Sequence, residues 1–515
     1  MISRRQFMTT GSFAAGAAVV ASQSGVAAST PMARRSIYPQ DLELVTVTDT
    51  SFALSWFTSS EADASARDPR DVVRPARGLV RYGTRPDRLD RIAHDELQTG
   101  FHHVEVTGLT PGTTYYYACE SDGVRAVARR VPSLDYAVLG RIVTEVRELV
   151  ANGASDAQKY AALYRRATTG SSTLAASGSV TTLVPPAGRH LFTLALANDL
   201  HQGETHSGII AADFPPPIVQ RPGKAPYPTL MTEALIADAR ERGAQILIAN
   251  GDLTAEAVPG ELRESRRLLS HFGHISTQAA TNGRTVLTSR GNHDRPHDGA
   301  EYRSCSAIAG GFDCFGDTFG IGYQQMYTTS YRGLRLIGLD TCDGSQGGTL
   351  SESQFSDLEH ELGSAPDQPT IVFGHHPVTD ASANSTMAGA QFDLDRVSAA
   401  RLERLYSRTP GVLLHHSGHT HRTLLTSSPA APHVRFIEVG AVKEYPAGYL
   451  AVRVYEGGIM ANFRRLRTAD SREWAAASSR QIFGLQPSYT LGAVGDRNFV
   501  IRRSMAEGVS ANSLR

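Results

Sequence analysis

The sequence predicts an α/β protein: a layered β-sandwich flanked by helices, preceded by a small all-β sandwich. Three observations carry this reading. From about residue 188, short apolar runs alternate with amphipathic helical patterns. Between 41 and 131, apolar and polar residues alternate with the period of a half-buried strand. Several apolar runs of the larger region also end in a cluster of His, Asp or Asn.

The 515 residues suffice for two or three domains, and 41% hydrophobic content is ample for a large core. Lys plus Arg equals Asp plus Glu, at 51 each, so no nucleic-acid partner is expected.

The first 28 residues form a targeting segment rather than fold. "SRRQFM" sets Arg4 and Arg5 side by side before Phe7, a Gly/Ala-rich apolar stretch follows, and small residues close it at Gly25 to Ala28. Residues 1–28 resemble a twin-arginine export signal. That resemblance implies the twin-arginine machinery as a partner and a secreted or cell-envelope location. No later run reaches the roughly 18 apolar residues needed to span a bilayer, so the mature chain is expected to have no transmembrane segment.

Residues 41–131 then read as strands: "LELVTVTDTSFALSWFT", "RGLVRYG" and "FHHVEVTGL". "LTPGTTYYYACES" resembles the late strands of a fibronectin type III-like sandwich; Pro-Gly supplies a turn and alternate tyrosines face a core. Residues 132–187 read as a partly helical connector. "AVLGRIVTEVRELVANG" has helical spacing, and "ATTGSSTLAASGSVTTLVPPAG" has linker composition.

The larger region, 188–465, carries the α/β pattern. "LFTLALA", "QILIA", "TVLT", "LRLIGL", "TIVF" and "GVLLH" are strand-like. "LMTEALIADARERG", "ELRESRRLLSHF", "SESQFSDLEHEL" and "VSAARLERLYS" are the helices between them. Residues 466–515 show no clear period and form an extension without an assigned role. No CxxC occurs, which speaks against a cysteine zinc site. Cys305 and Cys314 share a Gly-rich loop and can pair in an exported protein; free buried thiols fit equally well.

The polar clusters hold the chemistry. "NDLH" brings Asp199 and His201; "NGD" brings Asp252; "GNHD" brings Asn292, His293 and Asp294; "HHP" brings His375 and His376; "GHTH" brings His419 and His421. Each alone is an ordinary turn. Five of them, each behind an apolar run, lie at the strand ends where α/β sheets bind ligands. Imidazole, carboxylate and amide donors without thiolate suit divalent Mn, Fe, Co or Zn. Seven ligands exceed one ion and fit two divalent metal ions sharing a bridge, for which Asp252 is the central candidate. Such a pair, about 3.5–4 Å apart, activates water and clamps phosphoryl oxygens.

The order D-x-H, G-D, G-N-H-D, H-H-P, G-H-x-H resembles the calcineurin-like metallophosphoesterases over residues 188–465. Carried over by position, the resemblance implies that Asp199, His201 and His421 hold one metal. It gives Asn292, His375 and His419 to the other, with Asp252 between. It prefers His375 over His376. His293 meets the phosphoryl group, and Asp294 either orients His293 or caps the turn. The implied activity is hydrolysis of small phosphodiesters by metal-activated water, with phosphomonoesters as the close competitor. Purple acid phosphatases join a similar sandwich to this fold, but their G-D-x-x-Y tyrosine is replaced here by Ala255. "LIGLDTCDGSQGGTLSESQFSDLEHEL" resembles the cyclic-nucleotide phosphodiesterase and glycerophosphodiesterase branch, although Phe355, Leu358 and Leu362 on one helix face fit simple core packing. A reading from a different class is a cell-surface binding protein with a structural metal site.

Overall fold

A computed structural model describes residues 36–60, 68–173 and 178–505. The expected export signal lies outside the described residues.

Two sheets built on the predicted strands stack face to face. The first has seven strands in the order His274–Ile275, Thr285–Ser289, Ile246–Asn250, His190–Ala197, Gly448–Tyr455, Gly458–Arg465 and Asn498–Arg502. The first four are mutually parallel, and the rest add antiparallel to them. The second sheet runs Tyr327–Tyr331, Leu334–Gly338, Thr370–Phe373, Val412–Ser417, Arg435–Glu438 and Leu424–Thr426, with its central four strands parallel.

Leu194, Ile248 and Leu287 of the first sheet interdigitate with Leu336, Ile371 and Leu414 of the second, all fully buried. These strands are apolar on both faces because helices cover their backs. Helices Tyr227–Glu241, Pro259–Ser270 and Ala469–Ser478 pack on the first sheet, and Glu352–Ser364 and Arg396–Ser407 on the second. Phe355, Leu358 and Leu362 belong to that second outer core, as packing alone requires.

The N-terminal region is all-β. Tyr38–Val47, Phe52–Ser59 and Phe101–Val106 form one sheet; Gly78–Gly83, Arg91–His94, Thr114–Ser121 and Ser179–Thr181 belong to the other. Tyr115 and Tyr117 face the core with Trp56 and Val80, while Tyr116 between them is half-buried, which is the strand period at work.

Two segments without clear strand patterns prove integral. The connector returns Ser179–Thr181 to the sandwich, paired with Thr114–Tyr116. Past residue 466, the helix Ala469–Ser478 covers the first sheet and Asn498–Arg502 becomes its edge strand. "NFVIR" is too short and polar to stand out, and only its pairing with Gly458–Asn462 makes it a strand. Cys305 and Cys314 form a disulfide; Cys119 and Cys342 are free and buried. Among the described residues, no helix is long and apolar enough to cross a membrane.

Candidate metal centre

The five polar clusters meet. Strands ending at Ala197, Asn250, Ser289, Phe373 and Ser417 each release their chain into a tight loop, and those loops carry the expected ligands. Asp199, His201, Asp252 and His421 place one donor atom each within 4.8 Å of one another, and Asp252, His375 and His419 do the same. Asp252 is common to both groups.

The separations are those of ligands facing a shared point. His375 Nε2 lies 3.1 Å and His201 Nε2 3.5 Å from Asp252 Oδ2, and His421 Nε2 lies 3.5 Å from Asp199 Oδ1. Asn292 precedes His293, whose amide donates to Asp252 Oδ1 at 2.9 Å.

The donor atoms decide whether cations fit. Asp199 Oδ1, His201 Nε2, Asn292 Oδ1, His375 Nε2 and His419 Nε2 are all buried without a hydrogen-bond partner. Orphaned polar atoms cost a protein stability unless something satisfies them, and two divalent cations would satisfy this set. The imidazoles divide: burial opposes their charge, yet Asp252 raises His375 to about 9, and the neighbouring carboxylates also raise His201 and His421. Burial pushes the His419 imidazole down to about 3, leaving it neutral with a free lone pair. Burial opposes ionisation of Asp199 and Asp252, yet the histidines around them hold both carboxyls well below the usual range.

The backbone is shaped for the task. Asp199, His201, Asp252, His419 and His421 all adopt positive φ, between 45° and 68°. Each such residue costs of order 1 kcal/mol or more, and strain of this kind concentrates at functional sites. Gly291, at φ −104°, has no conformational need for glycine. Its role is room: a Cβ there would lie 2.2 Å from both the amide N and Oδ1 of Asp252.

An outer ring of groups aims the imidazoles. His421 Nδ1 lies 2.7 Å from Glu444 Oε1, and His201 Nδ1 lies 3.0 Å from Glu204 Oε2. Lys443 pairs with Glu204, and Tyr227 donates to it at 2.6 Å. His375 Nδ1 donates to the Asn250 carbonyl at 3.1 Å. Arg290, fully buried, donates to Asp313 at 2.7 Å and to Asp340 at 2.9 Å, tying the Asn292 loop to the "LDT" loop. Sequence reasoning missed Glu204, Lys443 and Glu444. Glu204 stands three residues after His201, a faint signal; "KE" in "AVKEYP" offers none.

Asp294 does not orient His293. Its carboxylate accepts from the amides of Leu253, Thr254 and Gly291 and from the Thr254 hydroxyl, at 2.7 to 3.2 Å. It braces the Asp252 loop against its own turn, and burial first, then the nearby Asp252 charge, pushes it up to about 6. His293 Nδ1 lies 2.7 Å from the Ala255 carbonyl, which can only accept, so Nδ1 carries a proton. His376 is buried beside His419, with Nδ1 2.7 Å from the Thr341 hydroxyl.

Residues 39–131 match the family model described as "Purple acid Phosphatase, N-terminal domain". That match covers the N-terminal all-β region, which carries none of the seven expected ligands. No curated protein matches the chain. Among solved structures, the chain is similar to a dimetal phosphatase from Danio rerio at 15% identity, covering 54% of this chain and 98% of that one, with a TM-score of 0.37. It is similar to purple acid phosphatase PPD1 from yellow lupin (Lupinus luteus) seeds at 14% identity, covering 92% and 76%, TM-score 0.37. It is also similar to PhoD at 11% identity, covering 82% and 86%, TM-score 0.36.

Proposed function

We propose that the protein is an exported phosphoesterase using two divalent metals and acting on small phosphodiesters in preference to monoesters. The single observation that supports the two-metal reading is the pair of donor clusters sharing Asp252, in which Asp199 Oδ1, His201 Nε2, His375 Nε2 and His419 Nε2 are buried and unpartnered; the diester preference and export rest on the sequence resemblances. Asp199, His201 and His421 hold one cation, Asn292, His375 and His419 the other, and Asp252 lies between. When bound, such a pair supplies Lewis acidity to the phosphoryl oxygens and an activated water.

The chain's own groups do the rest. His293, half-buried and fixed through Nδ1, presents Nε2 toward the substrate's phosphoryl group and the departing oxygen. Asn292 contributes an uncharged ligand oxygen, which limits repulsion of an anionic ester. Residues 1–28 direct export through the twin-arginine pathway, and the all-β region shapes or extends the protein's surface without entering the chemistry.

The test compares rates on bis-nitrophenyl phosphate and nitrophenyl phosphate, with metal content measured on the same preparation. Metal-dependent cleavage, faster on the diester, is expected. In H293A turnover falls by about 100-fold or more while fold and metal content persist. A correctly folded, metal-loaded sample that cleaves neither ester overturns the proposal and favours a binding protein.

A further inference from the structure

The cleft beside the metal centre, about 200 Å³ and open to solvent, has two unlike walls. One is the centre itself, with His419, His421, Lys443 and Glu444. The other is the helix Tyr136–Ala151 from the segment the sequence marks as a connector. Leu139, Ile142 and Val146 bury that helix against Phe214, Met387 and Leu485. Gly140 allows close seating, since a Cβ there would lie 3.0 Å from Gly389 Cα.

One turn apart, Val143 and Arg147 of this helix line the cleft. Between the walls, Ile209, Ile210, Met387 and Phe392 form an apolar strip beside the more polar Thr386, Gln481 and Gln486. The Arg147 guanidinium sits 5.3 Å from the centroid of the Phe392 ring. That ring in turn stacks on His419, with centroids 5.0 Å apart and planes 21° apart.

Arg147 has no counter-ion among the described residues: its only described partner is the Phe392 ring, and Glu145, two residues earlier, pairs with Arg166. The one carboxylate lining the cleft, Glu444, is taken up by His421 and Gln481, so this half-buried cation is open to an anionic ligand, and the planar guanidinium suits carboxylate or phosphate. Arg147 stands one aromatic ring beyond His419, on the side of the cleft that the far end of a small ester would reach.

We propose that Arg147 is a specificity-determining residue that receives a second anionic group on the organic part of the substrate, across the apolar floor of Phe392 and Met387. The substrate class is then phosphate esters that are apolar next to phosphorus and negatively charged beyond. This rests on the phosphoesterase reading above.

The test uses the metal-loaded full chain, with diphenyl phosphate and its carboxyphenyl analogue as substrates. The wild type is expected to favour the carboxylated ester about tenfold in kcat/KM, carried by KM. In R147M, which keeps bulk and removes charge, the ratio falls to about one; in R147K it stays above one. An independent arm measures calorimetric binding of butanebisphosphonate against butylphosphonate, with the bisphosphonate advantage lost in R147M. R147Q replaces R147M if the latter melts at a lower temperature. No preference in the wild type, or a ratio that survives R147M, overturns the proposal. Arg147-dependent bisphosphonate binding in a protein that cleaves no ester would overturn the phosphoesterase reading and leave the anion site standing.

Discussion

Asp252 Oδ2 stands 3.1 Å from His375 Nε2, and the same oxygen lies 3.5 Å from His201 Nε2. One carboxylate therefore serves both donor clusters. Asp252→Asn keeps the shape and removes the charge. It is expected to lose both metals on dialysis, read by elemental analysis, and activity with them. A variant that keeps both metals would remove Asp252 from the bridging position.

Gly291 is the hydrogen-only wall behind that carboxylate. Gly291→Ala would press a methyl against the Asp252 amide and carboxylate. Overpacking of this kind costs about 1–3 kcal/mol. Denaturant unfolding should show that loss, together with weakened metal binding. An unchanged midpoint and full metal content would mean that the loop yields to the methyl group.

Glu444 holds His421 through Nδ1 and is itself bound by Gln481 at 2.8 Å. Glu444→Gln keeps the size and weakens the grip on the imidazole. Metal affinity, followed by chelator competition, should fall about 10- to 100-fold. A change confined to turnover, with affinity intact, would contradict a ligand-aiming role.

Glu43 predicts a pH dependence far from the centre. Burial alone would raise its carboxyl, but Arg465 and Arg129, at 2.7 and 2.6 Å, hold it at about 2. The folded value lies below the unfolded one, so the stabilisation is complete above about pH 4.3 and lost as pH falls toward 2. Glu43→Gln leaves Arg465 without its carboxylate and Arg129 with only Asp41, at 3.5 Å, and should cost about 3–5 kcal/mol at pH 7. The gap between variant and wild type should narrow in unfolding curves taken from pH 5 downward. A constant gap would mean that hydrogen bonding rather than charge accounts for the loss.

What the sequence revealed follows from which interactions are local. The strands that carry the candidate centre are legible because each is a continuous apolar run, and the candidate ligands because each follows its strand directly. Of the two roles open to Asp294 in the sequence, the structure shows the turn-bracing one, because its carboxylate turns back to Gly291, Leu253 and Thr254. Glu204, Lys443 and Glu444 were invisible because their partners come from distant loops. The helix Tyr136–Ala151 was legible as a helix, yet nothing in its periodicity tells that Arg147 lines a cleft, since that depends on Phe392 some 240 residues later. Asn498–Arg502 is a strand only by virtue of the edge it joins.

That edge has a consequence for the order of assembly. The Val47 amide donates to Asn498 Oδ1 across 451 positions of chain, and Asn462 binds the Val47 carbonyl from the neighbouring strand. A ribosome must therefore deliver the chain as far as Asn498 before the strand Tyr38–Val47 finds its last partner. Such long-range closure slows folding and leaves an unpaired border exposed meanwhile.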